Sequence, residues 1–92
     1  MPAAQKAVVL ASDDVTSLDV LGWLLTLDAR YEEAGRMFSR ALELDPHNAS
    51  VHLHLGMLSL QTNDRTAAYE HLIQARDFGN SEADMILGQY FP

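Results

Sequence analysis

Apolar and small residues recur along this chain at the spacing of one face of an α-helix. Two successive stretches follow the i, i+3, i+4, i+7 pattern, namely Leu18, Leu21, Gly22 and Leu25, then Ala34, Met37, Phe38 and Ala41. Short polar stretches such as Asp45-Pro46-His47-Asn48 interrupt the pattern and are typical of turns between helices. The pattern predicts helices near 15–28, 31–44, 49–62, 65–78 and 81–91, with a helical stub near 3–11.

The predicted helix boundaries carry residues that favour helix ends. Asp13 or Asp14 can accept hydrogen bonds from the first amides of the first full helix, and Asn48 can do the same for the third. Gly79 suits the left-handed conformation in which many helices end.

The pattern repeats with a period of 34 residues. Ala7, Ala41 and Ala75 are spaced by this interval, and so are Gly22 and Gly56. Other pairs at the same interval are Leu21 and Leu55, Leu24 and Leu58, Ala34 and Ala68, and Phe38 and Leu72. Because a glycine inside a helix costs about 1 kcal/mol relative to alanine, we expect a partner helix to approach closely at both of them, and likewise at Gly88, which also follows a leucine. Helix pairs that repeat in this way bury their apolar faces by stacking on neighbouring pairs.

These residues resemble the pattern of the tetratricopeptide repeat family, whose units are helix–turn–helix pairs. The stretch RYEEAGRMFSRALELDP, residues 30–46, is similar to the family's second helix and the turn after it. Each unit of the family has a leucine-glycine pair in its first helix, a small–large–small series in its second, and then a proline. The matching residues are Leu21-Gly22, Ala34, Phe38, Ala41 and Pro46, then Leu55-Gly56, Ala68, Leu72 and Ala75, and a third pair, Leu87-Gly88, after a shorter turn.

The chain also departs from the family pattern at a few positions. Leu18 and His52 stand where the family often has tryptophan, and Leu25 and Ser59 stand where it often has tyrosine. The resemblance implies an all-α fold in which antiparallel helix pairs stack as a short right-handed superhelix, an α-solenoid.

The repeat register divides the chain into four parts. Residues 1–12 match the end of a preceding repeat's second helix, and residues 13–46 and 47–79 match two repeats. Residues 80–92 correspond to the first helix of a third repeat or to a C-terminal capping helix. Apolar residues on that last helix leave two interpretations open: the chain is a segment of a longer protein, or a second copy covers its ends.

Composition narrows the range of partners. Six Lys and Arg residues against thirteen Asp and Glu residues give a net charge of −7, which disfavours nucleic acid and anionic membranes as partners. The chain has no cysteine for disulfides or thiolate metal sites. No apolar run approaches the roughly 20 residues of a membrane span, and the apolar start is too short for a signal peptide. The expected location is the cytoplasm, although a cysteine-free chain is compatible with an oxidising compartment too.

The polar residues suggest no catalytic, metal or cofactor site. His52 and His54 are two residues apart, so they point in different directions on a helix, whereas a zinc pair requires a spacing of four. Asp13, Asp14 and Asp19 lack the glycine and the final glutamate of a calcium loop. No nucleophile and base form a recognisable catalytic motif, so we expect no enzymatic activity and no cofactor.

The resemblance implies that the first helix of each repeat lines a concave groove. Candidate groove residues lie on the face opposite the core stripe and are Asp19, Trp23, Leu27, Leu53, Met57, Leu60, Met85 and Gln89. The Lys, Asn and Arg residues with which one branch of the family binds a C-terminal carboxylate are absent from this face. An apolar groove instead suits an amphipathic helix or an extended apolar segment. Trp23 would anchor such a partner, or else it packs into ordinary core.

The leading interpretation is a non-catalytic protein- or peptide-binding scaffold or adaptor. One alternative is a structural module that pairs two copies of the chain as a homodimer. Another is a repeat segment that regulates or targets a larger parent protein.

Overall fold

The structure is a computed structural model that describes residues 14–92. The predicted stub near 3–11, the 1–12 segment and the candidate cap Asp13 lie outside the described residues. Within residues 14–92 the structure is all-α, as predicted, and each helix ends within one residue of its predicted end. The helices are α1 (Val15–Leu27), α2 (Tyr31–Leu44), α3 (Ala49–Gln61), α4 (Arg65–Asp77) and α5 (Ser81–Tyr90).

Side-chain caps fix where four of the five described helices begin. The Asp14 carboxylate accepts hydrogen bonds from the backbone amides of Thr16 and Ser17, each at 3.3 Å. Asn48 caps α3 through the amide of Val51 at 3.0 Å. Asp64 and Asn80 cap α4 and α5 in the same way. These bonds satisfy amides that have no partner inside the helix.

The start of α2 uses an ion pair instead of a side-chain cap. Arg30 precedes the helix and makes no capping hydrogen bond with its side chain. Its guanidinium contacts the Glu33 carboxylate through two hydrogen bonds, at 2.8 and 2.7 Å. The negative charge of Glu33 in the first turn also complements the positive end of the helix dipole.

Three turns reverse the chain through a residue in the left-handed region. These residues are Ala29 with φ 61°, Asn63 with φ 62° and Gly79 with φ 105°. In each turn the next amide donates to a carbonyl five residues earlier, for example from Arg30 to Leu25 at 2.9 Å. This bond is typical of a helix that ends in a left-handed residue, and it directs the chain into the next helix.

The first compact unit, whose described part is 14–46, is a pair of helices, α1 and α2. The three-residue turn between them makes the helices antiparallel. Its buried apolar side chains are Leu18, Leu25, Ala34, Phe38 and Ala41.

Gly22 allows α1 and α2 to approach each other. A Cβ atom at Gly22 would lie only 2.6 Å from Cε1 of Phe38, a distance that real Cβ atoms essentially never show. Phe38 is fully buried against this bare stretch of backbone. The expected close approach at this glycine is therefore present, and the contact offsets the helix propensity that glycine loses.

The second compact unit, 47–92, repeats this contact and adds a third helix. Here a Cβ atom at Gly56 would lie 2.7 Å from Cγ of Leu72, so α3 and α4 also meet at a glycine. Helix α4 packs against both α3 and α5. The core cluster that links these three helices consists of Leu53, Leu72, Ala75, Ala83 and Leu87.

Gly88 differs from the other two glycines of the leucine-glycine pairs. Apart from the adjoining backbone of α5 itself, no atom of the described residues lies within 4 Å of the position where its Cβ would be. The expectation of a close helix approach at every repeat glycine is therefore wrong at this one. Within the second unit, neither α3 nor α4 packs against the face of α5 where Gly88 lies.

Two histidines stack between α3 and α4. The ring centroids of His52 and His71 are 5.7 Å apart, and the Phe78 ring lies 5.5 Å from that of His52. Burial lowers the pKa of His71 and the neighbouring His52 lowers it further, while Glu70 and Asp64 act in the opposite direction. Within 14–92 the buried Nδ1 of His71 finds no hydrogen-bond partner, so a proton there would lack an acceptor.

The surroundings of Gly22 and Gly88 predict that replacing each glycine by alanine changes the stability of the protein differently. Gly22→Ala should destabilise the protein by about 1–3 kcal/mol, because the Phe38 ring must move to admit the methyl group. Gly88→Ala should leave the stability unchanged or raise it by about 0.5 kcal/mol, since its Cβ enters open space. Urea unfolding followed by circular dichroism measures both. Equal effects of the two substitutions would contradict the assigned role of Gly22.

The histidine stack predicts that stability falls with acidification. Because the folded-state pKa of His71 lies below its ordinary 6.5, the unfolded chain binds the proton more readily. The free energy of unfolding should therefore decrease as the pH falls through 6.5. Thermal unfolding at several values between about pH 7.5 and about pH 5.5 tests this. His71→Gln should flatten the dependence, whereas His54→Gln, on the neighbouring helix, should retain it; an unchanged slope in His71→Gln would refute the assignment.

Candidate functional site

A cleft of about 370 Å³ opens in the second unit. It lies between the C-terminal part of α3, the turn into α4, and the C-terminal part of α5. The residues that line it are Met57, Leu60, Gln61, Asn63, Arg65, Ile86, Gln89 and Tyr90.

The cleft combines an apolar base with polar groups at its edge. Met57 and Ile86 are partly buried and pack against the core cluster of the unit. Gln61, Asn63 and Gln89 are exposed. Each of these amide side chains has two donor hydrogens and an acceptor oxygen, so together they can bond both the N–H and C=O groups of a peptide.

Arg65 holds one wall of the cleft in place. Its Nη2 donates a hydrogen bond to the carbonyl oxygen of Tyr90 at 2.8 Å. The guanidinium carbon lies 4.6 Å from the centre of the Phe91 ring, and Phe91 in turn contacts Tyr69 at 5.2 Å between centroids. A cation at this carbonyl satisfies a free acceptor and complements the negative end of the α5 dipole. Arg65 thereby ties the end of α5 to the start of α4.

The structure brings together three of the predicted groove residues of the second unit. Met57, Leu60 and Gln89 all line the cleft. Met85 is 75 % exposed on α5 and is not among the lining residues. Leu53, placed on the groove face by its helical position, instead lies in the core at 4 % exposure. It is buried because α4 and α5 both pack onto that side of α3.

The predicted groove residues of the first unit lie on α1 with very different exposures. Leu27 is 65 % exposed and Trp23 is partly exposed. Asp19, expected to be the one charge on an open face, is buried at 8 % exposure. Of the groove residues predicted in this unit, Leu27 and part of Trp23 are therefore exposed, and Asp19 is not.

Five lining residues were missed by the sequence analysis. Gln61 and Asn63 lie at the end of α3 and just beyond it, where a helical stripe no longer predicts direction. Ile86 and Tyr90 flank the predicted positions on α5. Arg65 meets Tyr90 across 25 residues of sequence, a contact with no local signal.

Metal-binding clusters and membrane-spanning helices are both absent from the described part of the chain. Among residues 14–92, no three or more His, Asp or Glu side chains are grouped so as to hold a metal ion. None of the helices in that same part of the chain has the length and apolar character needed to cross a bilayer.

Comparison with known families identifies the fold. The family model described as tetratricopeptide repeat matches residues 25–90, which is more than half of the chain. The chain therefore belongs to the tetratricopeptide repeat family. Comparison with curated proteins finds no match. The family consists generally of non-enzymatic modules for protein–protein interaction.

The contacts of Arg65 predict a measurable role in closing the cleft wall. Arg65→Gln should destabilise the protein by about 1 kcal/mol, because both the capping hydrogen bond and the ring contact are lost. The amides of the last turn of α5 should exchange with deuterium faster. Arg76→Gln is the matched control on α4, since its 3.3 Å ion pair with Asp77 is exposed and contributes little. Equal exchange rates in both variants would show that Arg65 does not hold α5.

Proposed function

We propose that this chain is a non-catalytic interaction module that binds an extended apolar segment of a partner protein in the cleft between α3 and α5. The observation that carries this proposal is the convergence of Met57, Leu60 and Gln89 in one cleft. These residues were predicted from sequence as groove residues of a repeat family that generally binds proteins.

The apolar base of the cleft favours an apolar anchor on the partner. A volume of about 370 Å³ is at the small end of the range for ligand pockets. Met57 offers a flexible thioether that adapts to the shape of an entering side chain. A few buried anchors, most often aromatic side chains, supply most of the binding energy in protein interfaces.

The amide groups favour an extended partner over a helical one. The backbone N–H and C=O groups of a helix are already bonded within the helix. An extended segment leaves these groups available, and Gln61, Asn63 and Gln89 offer both donors and acceptors at the edge of the cleft.

Electrostatics disfavours a cationic anchor. Arg65 is the one charged residue among the described residues of the lining, and its guanidinium contacts the Tyr90 carbonyl and the Phe91 ring, both of them neutral groups. A cationic partner side chain that entered the cleft would lose its hydration and meet only the like charge of Arg65. The partner side chain that enters the cleft is therefore not a cation.

Peptide selection followed by matched substitutions tests the proposal. A displayed library of random peptides is selected on the full 92-residue chain, and the affinity of enriched peptides is measured by fluorescence anisotropy. Gln89→Glu with Leu60→Glu should weaken binding by about tenfold or more, because two charges then stand in the lining beside the apolar base. Circular dichroism should show unchanged helix content.

Met85→Glu provides the matched control, because Met85 is exposed on the same helix but outside the cleft. It should change the affinity by less than about twofold. If Met85→Glu weakens binding and the cleft variant does not, the binding surface lies elsewhere. If no peptide is enriched, and the chain forms dimers that the cleft variant abolishes in sedimentation experiments, self-association replaces the proposed function.

A further inference from the structure

Arg65 carries a positive charge with which no carboxylate forms an ion pair in the described part of the chain. Its guanidinium contacts two neutral groups, the Tyr90 carbonyl oxygen and the Phe91 ring. By contrast, the Arg30 guanidinium bonds the neighbouring Glu33 carboxylate at 2.7 Å. The chain has thirteen Asp and Glu residues and a net charge of −7, so acidic side chains are plentiful. The charge of Arg65 is nevertheless left for a ligand.

Most of the hydrogen-bonding capacity of Arg65 is also open. A guanidinium has five N–H donors in one plane. One of them, on Nη2, bonds the Tyr90 carbonyl oxygen at 2.8 Å, and the other four have no acceptor among the described residues. Because Arg65 is exposed, a ligand can reach these donors. They include both N–H groups of Nη1, so a carboxylate can still bind through two parallel hydrogen bonds.

The same two contacts restrict where the guanidinium lies. Its central carbon is 4.6 Å from the centre of the Phe91 ring, and the bond to Tyr90 fixes its orientation at the cleft wall. An exposed ion pair is usually weak, partly because two long side chains must be held in one geometry. Since Arg65 is already held within the protein, the conformational entropy lost when it binds a carboxylate is smaller.

The rest of the lining suits an anion beside an apolar anchor. Arg65 is the one charged residue among the described residues of the lining. The side-chain amides of Gln61, Asn63 and Gln89 can each donate two hydrogens to carboxylate oxygens. The neighbouring Asp64 is not in the lining, and its carboxylate is engaged as the N-cap of α4. The cleft therefore offers one positive charge and several donors next to its apolar base.

We propose that the partner segment carries an acidic side chain beside its apolar anchor. The carboxylate binds the Arg65 guanidinium, and the anchor lies against Met57 and Ile86. This inference rests on the proposed function and specifies the chemistry of the partner. A compact volume of about 370 Å³ spans roughly 7 Å, the length of about two extended residues, so the acid lies within two residues of the anchor.

The composition of the peptides selected on the full chain gives the first test. Non-specific attraction to a chain with a net charge of −7 enriches Lys and Arg, whatever their position in the peptide. The inference instead predicts enrichment of Asp or Glu at one position, within two residues of the apolar anchor. Enriched peptides that share an apolar anchor and lack this acid would overturn the inference.

A double-substitution cycle isolates the ion pair. Enriched peptides are made with amidated C-termini, each in two versions, with the acid and with its amide. On the unaltered chain, the amide version should bind about threefold to tenfold more weakly in fluorescence anisotropy. On Arg65→Gln the two versions should bind equally well. Because a structural effect of Arg65→Gln acts on both versions alike, the ratio of their affinities reports the ion pair alone.

Two controls accompany the cycle. Arg76→Gln removes a cation from the same helix outside the cleft, and it should retain the difference between the two peptide versions. On the unaltered chain, raising the NaCl concentration from about 0.05 M to about 0.5 M should reduce that difference, because salt screens the ion pair. A difference that persists undiminished in Arg65→Gln would refute the assignment of the carboxylate to Arg65.

The remaining outcomes separate this inference from the proposed function. Peptides that lose affinity for the Leu60→Glu and Gln89→Glu variant, but bind equally well with acid or amide, would overturn the inference and leave the proposed function in place. An affinity that requires a free C-terminal carboxylate instead of an acidic side chain would also overturn it. If no selected peptide binds in the cleft, the inference and the proposed function both fail.

Discussion

The close contact between a helix glycine and a large buried side chain sets the geometry of each helix pair. Gly22 meets Phe38 in the first unit, and Gly56 meets Leu72 in the second. In both cases a Cβ atom on the glycine would overlap the opposing side chain. The short distance between the two helices therefore depends on the glycine having no Cβ atom. The capped helix starts and the left-handed turns set where the helices begin and where the chain reverses. They thereby place two helices of similar length against each other at this contact.

The second unit shows how one helix can organise two neighbours. Helix α4 contributes Leu72 and Ala75 to a core shared with α3 and α5. Its first residue, Arg65, reaches the carbonyl oxygen of Tyr90 at the far end of α5. The cleft lies beside this junction, so the core that stabilises the unit also positions the surface that we propose for binding.

The helices and the family could be predicted from sequence, whereas the lining of the candidate cleft could be predicted only in part. Helical position grouped Met57 and Gln89 on one face, and both residues line the cleft. It failed for Leu53, because two further helices cover the side of α3 on which this residue lies. The repeated leucine-glycine pair also implied a close helix contact at Gly88. That prediction failed, because the described residues leave open space there. Each failure concerns a neighbour that the periodicity of one helix does not specify.

The amino-acid sequence by itself determined the helix boundaries, the 34-residue repeat and the tetratricopeptide family, because capping, turn conformation and helical periodicity depend on residues close along the chain. The tertiary structure alone decided which apolar residues are core and which remain exposed. It buried Leu53, left Met85 open and joined Arg65 to Tyr90. The physical reason is that burial and long-range hydrogen bonds depend on the helices that pack alongside, and these are set by contacts between distant parts of the chain.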